Sequence, residues 1–159
     1  MENKINIEPI GKVIIEGEKA SIQIDKRYLP ALTGLNGFSH LQIIWWGNHF
    51  DKQEYRNTMT FQKLIKKGPE TLGTFASRSP IRPNPVMLSI IKVNDIDFRK
   101  GVIRTPCIDA DNNTPVLDIK PYHLMERVNK CKVPEWCTDW PSWYEEAIDF
   151  AWKEKMNLK

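Results

Sequence analysis

No run of about 18 apolar residues occurs anywhere in this chain, so the sequence offers no membrane-spanning helix. Cysteine is scarce: Cys107, Cys131 and Cys137 are too few and too scattered for a disulfide framework, and reduced thiols in a cytoplasmic protein are the expectation. Histidine is as rare, and His123, Cys131 and Cys137 match no compact zinc spacing, so no metal is expected. A Gly-rich phosphate loop, a dinucleotide fingerprint and a nucleophile elbow are all missing, which removes support for Rossmann and hydrolase chemistry. Charge of one sign is also lacking. A net charge of +3 is compatible with a nucleic-acid partner without demanding one, and the one basic group, Lys63, Lys66 and Lys67, reads first as a solvated loop. The opening Met1-Glu-Asn-Lys-Ile-Asn lacks the basic-then-apolar layout of a signal peptide. What is present is ordinary for a soluble domain: 159 residues, 41% hydrophobic and 27% charged, enough for one real core.

Proline is concentrated where it matters. Pro80, Pro83 and Pro85 fall within six residues of Phe75-Ala-Ser-Arg-Ser-Pro-Ile-Arg-Pro-Asn-Pro85. Each fixes its own φ, lacks an N–H and pushes the residue before it toward extended geometry, so neither a helix nor a central strand can pass. A stiff, polyproline-like loop remains, carrying Arg78 and Arg82. Stiffness before binding lowers the ordering cost of recognition. Arginine suits carboxylate or phosphate, while salt bridges that pin the loop are the alternative. The two guanidinium roots stand about 12 Å apart along extended chain, so they serve different ligands, or one serves the scaffold.

The remaining pattern is mostly strand. Ile5 to Ile15 alternates loosely around Pro9-Ile-Gly11, and Ala20 to Asp25 alternates strictly. His40 to Trp46 is a continuous apolar run that suits a strand buried on both faces. Leu72–Ala76, Val86–Val93, Gly101–Ile108 and Val116–Pro121 add four more, while residues 51–67 read as a long loop with a helical turn. This spacing predicts a closed antiparallel β-barrel, mainly β, over residues 1–125. Residues 126–159 then form a Trp-rich extension packed on the barrel. Ser142-Trp-Tyr-Glu145 fits a capping box, and Trp143, Ala147 and Ala151 recur at helical spacing, predicting an α-helix of about four turns. Its tryptophans cover a sheet face or, less simply, offer a partner surface.

Two further places carry candidate chemistry. The turn Asp111-Asn-Asn-Thr114 before Pro115 exposes backbone amides and carbonyls that could clasp a polar heterocycle. Asp118 and Lys120 share a strand face, as a structural ion pair or in catalysis. His49, at the far end of the 40–46 strand, is better placed than His40 to reach a ligand.

Three segments together are specific. Leu35-Asn-Gly-Phe-Ser-His-Leu41, the proline loop, and Thr114-Pro-Val-Leu-Asp-Ile-Lys-Pro-Tyr122 resemble the signatures of the TsaA-like (TrmO-type) family, over roughly residues 6 to 122. The resemblance implies a dimeric β-barrel enzyme that uses S-adenosylmethionine to methylate N6 of threonylcarbamoyl-adenosine at position 37 of certain tRNAs. A non-catalytic module that binds the same cofactor or a nucleotide is the alternative. Carried over by residue, cofactor contacts fall on Asn48, His49, Arg78, Leu88, Asp111, Asn112, Asn113 and Thr114. A sulfonium cofactor offers a carboxylate for an arginine and an adenine for an apolar shelf, and methyl transfer needs mainly in-line positioning. Asp118 or His49 would take the N6 proton. The chain departs from the family in four places. No Pro-Arg-Gln triplet follows the first strand, where only Glu16-Gly-Glu-Lys19 stands. Asn113 replaces the glycine of the usual Leu-Asp-Gly-Thr turn, Met87 stands where glycine is common, and the further C-terminal domain of longer members is replaced by the Trp-rich segment.

Overall fold

A computed structural model describes residues 5–157. These fall into two compact units: the first comprises the chain up to Lys52 with Asn84–Arg127, the second Gln53–Pro83 with the chain from Val128 onward. The C-terminal segment therefore shares a unit with the residues before the proline loop.

The first unit is one antiparallel sheet. Its strands are β1 (Gly11–Glu16), β2 (Lys19–Ile24), β3 (His40–Trp46), β6 (Val86–Lys92), β7 (Asp95–Asp97), β8 (Val102–Thr105) and β9 (Pro115–Pro121). They lie in the order β6-β3-β9-β1-β2-β8-β7. Among the described residues no ladder joins β6 to β7, so where a closed barrel is expected the pairing gives a seven-stranded antiparallel sheet with β6 and β7 at its edges. The two edge strands are nonetheless consecutive in the chain. Only Val93 and Asn94 link β6 to β7; the Val93 N–H donates to the Ser39 carbonyl (2.8 Å), and the Asn94 N–H to that of Arg104 (2.9 Å). Consecutive residues thus bond to opposite edges, which brings those edges together at one end. β7 then has three residues, too few to continue the seam.

Alternation fixes which side is buried. Val13, Ile22, Ile24, Leu41, Ile43, Trp45, Ile91, Ile103 and Val116, with Leu32, make the core. The apolar run of β3 suggests burial on both faces, yet only Leu41, Ile43 and Trp45 are buried, while Gln42, Ile44 and Trp46 on the other face are half-buried. The one polar atom in the Trp45 side chain is satisfied, its indole N–H donating to Ser89 Oγ at 2.9 Å. Gly11 lies where β1 meets both β2 and β9, opposite Ile24 and Val116. A Cβ there would sit 2.1 Å from the Gln23 carbonyl oxygen, so only glycine fits.

The second unit is smaller. The hairpin of β4 (Thr60–Gln62) and β5 (Thr71–Gly73) was legible only at β5. A four-residue helix, α1 (Gln53–Arg56), precedes it, matching the expected helical turn. Leu72, Ile65, Thr74 and Cys137 are buried here. The predicted four-turn C-terminal helix is replaced by two four-residue helices, α2 (Tyr144–Ala147) and α3 (Trp152–Lys155). Two contacts replace the continuous ladder: the Trp152 N–H donates to the Phe150 carbonyl (2.8 Å), and its indole N–H reaches back to that of Ala147 (3.1 Å). Trp152 is thereby turned edge-on to Trp140, itself edge-on to Trp136, with centroids 5.4 and 5.6 Å apart. Aromatic packing overrides helical propensity. The capping residue shifts too: Glu146, not Glu145, accepts from the Ser142 N–H (3.1 Å).

Candidate functional site

Three adjacent strands of the first unit end together. Trp46 at the end of β3 pairs with Val86 at the start of β6, and Trp45 pairs with Val116 near the start of β9. The turn after β3, the last proline before β6 and the 111–114 turn before β9 therefore meet at one end of the sheet. The Gly47 N–H donates to the Pro85 carbonyl (2.8 Å), tying the end of the proline loop to the end of β3. Asn48 and His49 form a single 3-10 turn there. His49 Nε2 lies 4.0 Å from Asp111 Oδ2, with both side chains more than half exposed. Two residues singled out from separate segments of sequence are thus neighbours.

The 111–114 turn is sewn to β1. The Asn113 N–H donates to the Val13 carbonyl (2.8 Å) and the Val13 N–H to the Thr114 carbonyl (2.9 Å), while Asn112 Oδ1 accepts from the Ile15 N–H (2.9 Å). Thr114 is buried. Asn113 sits at φ 64, the left-handed region in which asparagine is, after glycine, the best tolerated residue. This explains how the turn keeps its shape without the usual glycine. Asn112, expected as a cofactor contact, has its amide oxygen committed to the scaffold.

Leu88 and Asp118 both pair with Ile44, one from each side, on the face of the sheet away from the core. Leu88 and Val86 remain about two-fifths exposed, a small apolar shelf beside the polar turns. Asp118 Oδ2 is bound by Lys120 Nζ at 2.6 Å along the same strand, and its Oδ1 accepts from the Ile119 N–H. Hydrogen bonding to Asp118 and the carboxylate charge push the Lys120 ammonium up from its ordinary value. The register slips between Ile44 and Trp45, leaving Leu117 as an extra residue in β9.

The arginines of the proline loop belong to the second unit. Arg82 Nη1 donates to the carbonyls of Ser79 (3.2 Å) and Ser77 (3.4 Å), so this arginine serves the scaffold. Serine hydroxyls take two of the loop's backbone donors: Ser77 Oγ accepts from the Ser79 N–H (3.3 Å), and Ser79 Oγ from the Ile81 N–H (3.2 Å). Arg78, between those serines, is exposed.

Other candidates resolve simply. The His123 ring packs edge-on against Phe38, and burial pushes the Cys137 thiol up while its Sγ donates to the Pro134 carbonyl. Among the described residues no three His, Cys, Asp or Glu side chains group so as to hold a metal ion, and no helix is long and apolar enough to cross a membrane. Sequence reasoning missed the partnership of Asp111 with His49 and the Trp46 indole, which donates to Asp51 Oδ2 at 3.0 Å across the turn. Trp46 and Asp51 are five residues apart around Gly47, a turn signal that could have suggested the second.

The family model of the tRNA-methyltransferase O N-terminal domain matches residues 3–126. A protein of Methanothermobacter thermautotrophicus, named a probable S-adenosyl-L-methionine-binding protein, is 33% identical over 106 residues, which are 67% of this chain and 71% of that protein. The tRNA (adenine(37)-N6)-methyltransferase of Escherichia coli K12 is 34% identical over 94 residues, 58% of this chain but only 39% of the enzyme. The crystal structure of TrmO from Pseudomonas aeruginosa superposes with a TM-score of 0.62 at 21% identity, covering 83% of this chain and 61% of the other. That last likeness shows a common fold. With most of its length under one family model, the chain belongs to the family of tRNA-methyltransferase O N-terminal domains.

Proposed function

We infer that this protein binds S-adenosylmethionine at the sheet end where the 47–50 and 111–114 turns meet, and transfers its methyl group to N6 of an adenosine in tRNA. One observation carries the reading: the polar turn Asp111–Thr114, His49 and the exposed shelf of Leu88 and Val86 converge at the ends of three adjacent strands. The residues fit the group in kind. A half-exposed leucine beside polar turns suits an adenine. When bound, the sulfonium supplies an electrophilic methyl group and leaves as a neutral thioether. The chain itself must orient the acceptor nitrogen in line and receive its proton. His49 is the stronger candidate for that proton, because the Asp118 carboxylate is already engaged by Lys120 at 2.6 Å. Asp111 at 4.0 Å would steady the imidazolium that results. The threonylcarbamoyl-adenosine at position 37 is the acceptor the family resemblance favours, and a homodimer its assembly.

Titration calorimetry with S-adenosylmethionine tests the binding step. Saturation at about 100 times Kd should stabilise the fold by about 2.7 kcal/mol, visible as a raised Tm. Leu88→Asp, at an exposed position of the shelf, should weaken binding more than tenfold without changing the unliganded Tm, and unchanged affinity would remove Leu88 from the site. Absence of binding and of thermal protection at millimolar cofactor would end the methyltransferase reading. The two-residue connection between β1 and β2 favours a second reading, a cofactor-binding module without catalysis. Cofactor binding with no methyl incorporated into tRNA would decide for it.

A further inference from the structure

The second unit carries a feature that methyl transfer at the first unit does not use. Gln53–Pro83 holds six Lys and Arg residues against two acidic ones and Val128–Lys159 five against six, eleven against eight in all, and the tail brings Lys153 and Lys155 beside residues 63–67. The tail does this by pairing with residues 63–66: Ile65 bridges Met156, the Lys66 N–H donates to the Lys155 carbonyl (3.0 Å), and the Asn157 N–H to that of Leu64 (2.9 Å). One carboxylate, Asp139, answers two ammonium groups, Lys155 at 2.8 Å and Lys67 at 3.3 Å. Lys66, exposed, donates to the Lys153 carbonyl (3.4 Å), and among the described residues no carboxylate pairs with it or with Lys153. The group is thus positive on balance. Beside it lies an open depression of about 550 Å³ lined by Lys67, Gly68, Pro69, Glu135 and Trp136.

A depression of this size, walled by an indole and a prolyl ring with an ammonium at its rim, has the parts of a nucleotide site: a flat apolar face for a base, a cation for its phosphate and a carboxylate to accept from an exocyclic amine. A duplex could not enter, because its bases present no face to stack on. We propose that this depression binds an unpaired nucleotide of RNA, with the base on Trp136 and Pro69 and the backbone along Lys66 and Lys67. The inference deepens the reading that the acceptor lies in tRNA, since the adenosine to be methylated stands in a single-stranded loop whose neighbours need a hold. It makes the second unit a substrate-gripping element.

Fluorescence anisotropy with a labelled 17-nucleotide RNA stem–loop, performed on the full chain without cofactor, tests it. Wild type should bind with salt-dependent affinity, and the same RNA annealed into a duplex should bind at least tenfold more weakly. Lys66→Ala/Lys67→Ala should lower stem–loop affinity at least tenfold at low salt and reduce the logarithmic salt slope by about 1.4, the share of two single-strand phosphates. Lys155 still answers Asp139 in that variant, so the fold should hold, and calorimetric affinity for S-adenosylmethionine should be unchanged. Ultraviolet cross-linking of the bound RNA should mark the peptide containing Trp136. Unaltered RNA affinity in the double variant, equal binding of the duplex, or no RNA binding at low salt would overturn the proposal while cofactor binding stood. Loss of cofactor binding with the RNA results intact would instead remove only the methyltransferase reading.

Discussion

Asn112 separates a scaffold role from a ligand role within one turn. Its Oδ1 accepts from the Ile15 N–H at 2.9 Å, across 97 positions of sequence. Asn112→Ala removes the acceptor and leaves that N–H to water, because the bond is exposed; the cost of one net hydrogen bond is about 1 kcal/mol. For a chain of this length that lowers Tm by about 2–4 °C. The turn itself should persist, since the backbone bonds of Val13 with Asn113 and Thr114 remain. Cofactor affinity should therefore fall by less than about fivefold, by loosening rather than by loss of a contact, which is under about 1 kcal/mol. Asn112→Asp keeps an oxygen in place and should stay within about 0.5 kcal/mol of wild type, a charged acceptor being at least as strong. Thermal unfolding and S-adenosylmethionine calorimetry on the three proteins supply the readouts. If both variants retain full stability while losing more than tenfold in affinity, the side chain is a ligand contact and the scaffold argument fails.

Gly11→Ala would drive a Cβ to 2.1 Å from the Gln23 carbonyl oxygen, backbone that cannot rotate away, so denaturant unfolding should show a loss of about 3 kcal/mol or no soluble protein. Near-wild-type stability would show that β1 and β2 can part there cheaply. Asn113→Gly should be nearly neutral, whereas Asn113→Val, forced to a φ of 64, should cost about 1–2 kcal/mol and loosen the 111–114 turn, as unfolding would report. Asp139 is held below its ordinary value of 3.8 by hydrogen bonds from Lys155 and then Lys67. Its contribution to stability is present above that ordinary value and is lost as pH falls through the lower folded one. The Tm difference between wild type and Asp139→Asn should accordingly be seen at pH 6 and vanish in acid; a difference independent of pH would dismiss the ion triad.

The first unit was largely readable because its strands alternate. Ala20, Ile22 and Ile24 point inward at every second residue, and β2 appears where that period runs. β3 is a mixed case: its apolar run correctly marked a strand, but Gln42 and the half-exposed Ile44 and Trp46 mark an outer face that hydrophobicity alone conceals. β7 was not legible because Asp95-Ile-Asp97 has one apolar residue, and it pairs through its backbone with β8. The C-terminal helix misled because propensity and spacing were right locally, while the choice was made by Trp140 and the Ala147 carbonyl drawing Trp152 out of line. In the site, the polar turn and His49 could be read from composition. Their meeting could not, because Asp111 and His49 are joined only through the register of β3 with β9.

That register also bears on the places where the chain departs from its family. Gly17, at φ 62, occupies the first position of a two-residue turn with Glu16 paired to Lys19, the tightest connection antiparallel strands allow. Such a turn cannot carry a binding loop, so whatever that loop supplies elsewhere must here come from other residues or be dispensed with. The Asn113 substitution is of a different kind. Asparagine holds the same left-handed backbone as glycine, and the two bonds to Val13 are backbone bonds indifferent to the side chain. One departure is conformationally silent and the other leaves no room for a longer loop. Cofactor affinity should therefore respond far more to residues grafted between Glu16 and Lys19 than to glycine restored at 113. A grafted Pro-Arg-Gln loop that tightens S-adenosylmethionine binding at least tenfold, beside an Asn113→Gly variant that changes it less than twofold, would establish the ranking; the reverse order would show that the turn's shape, not the short connection, limits the site.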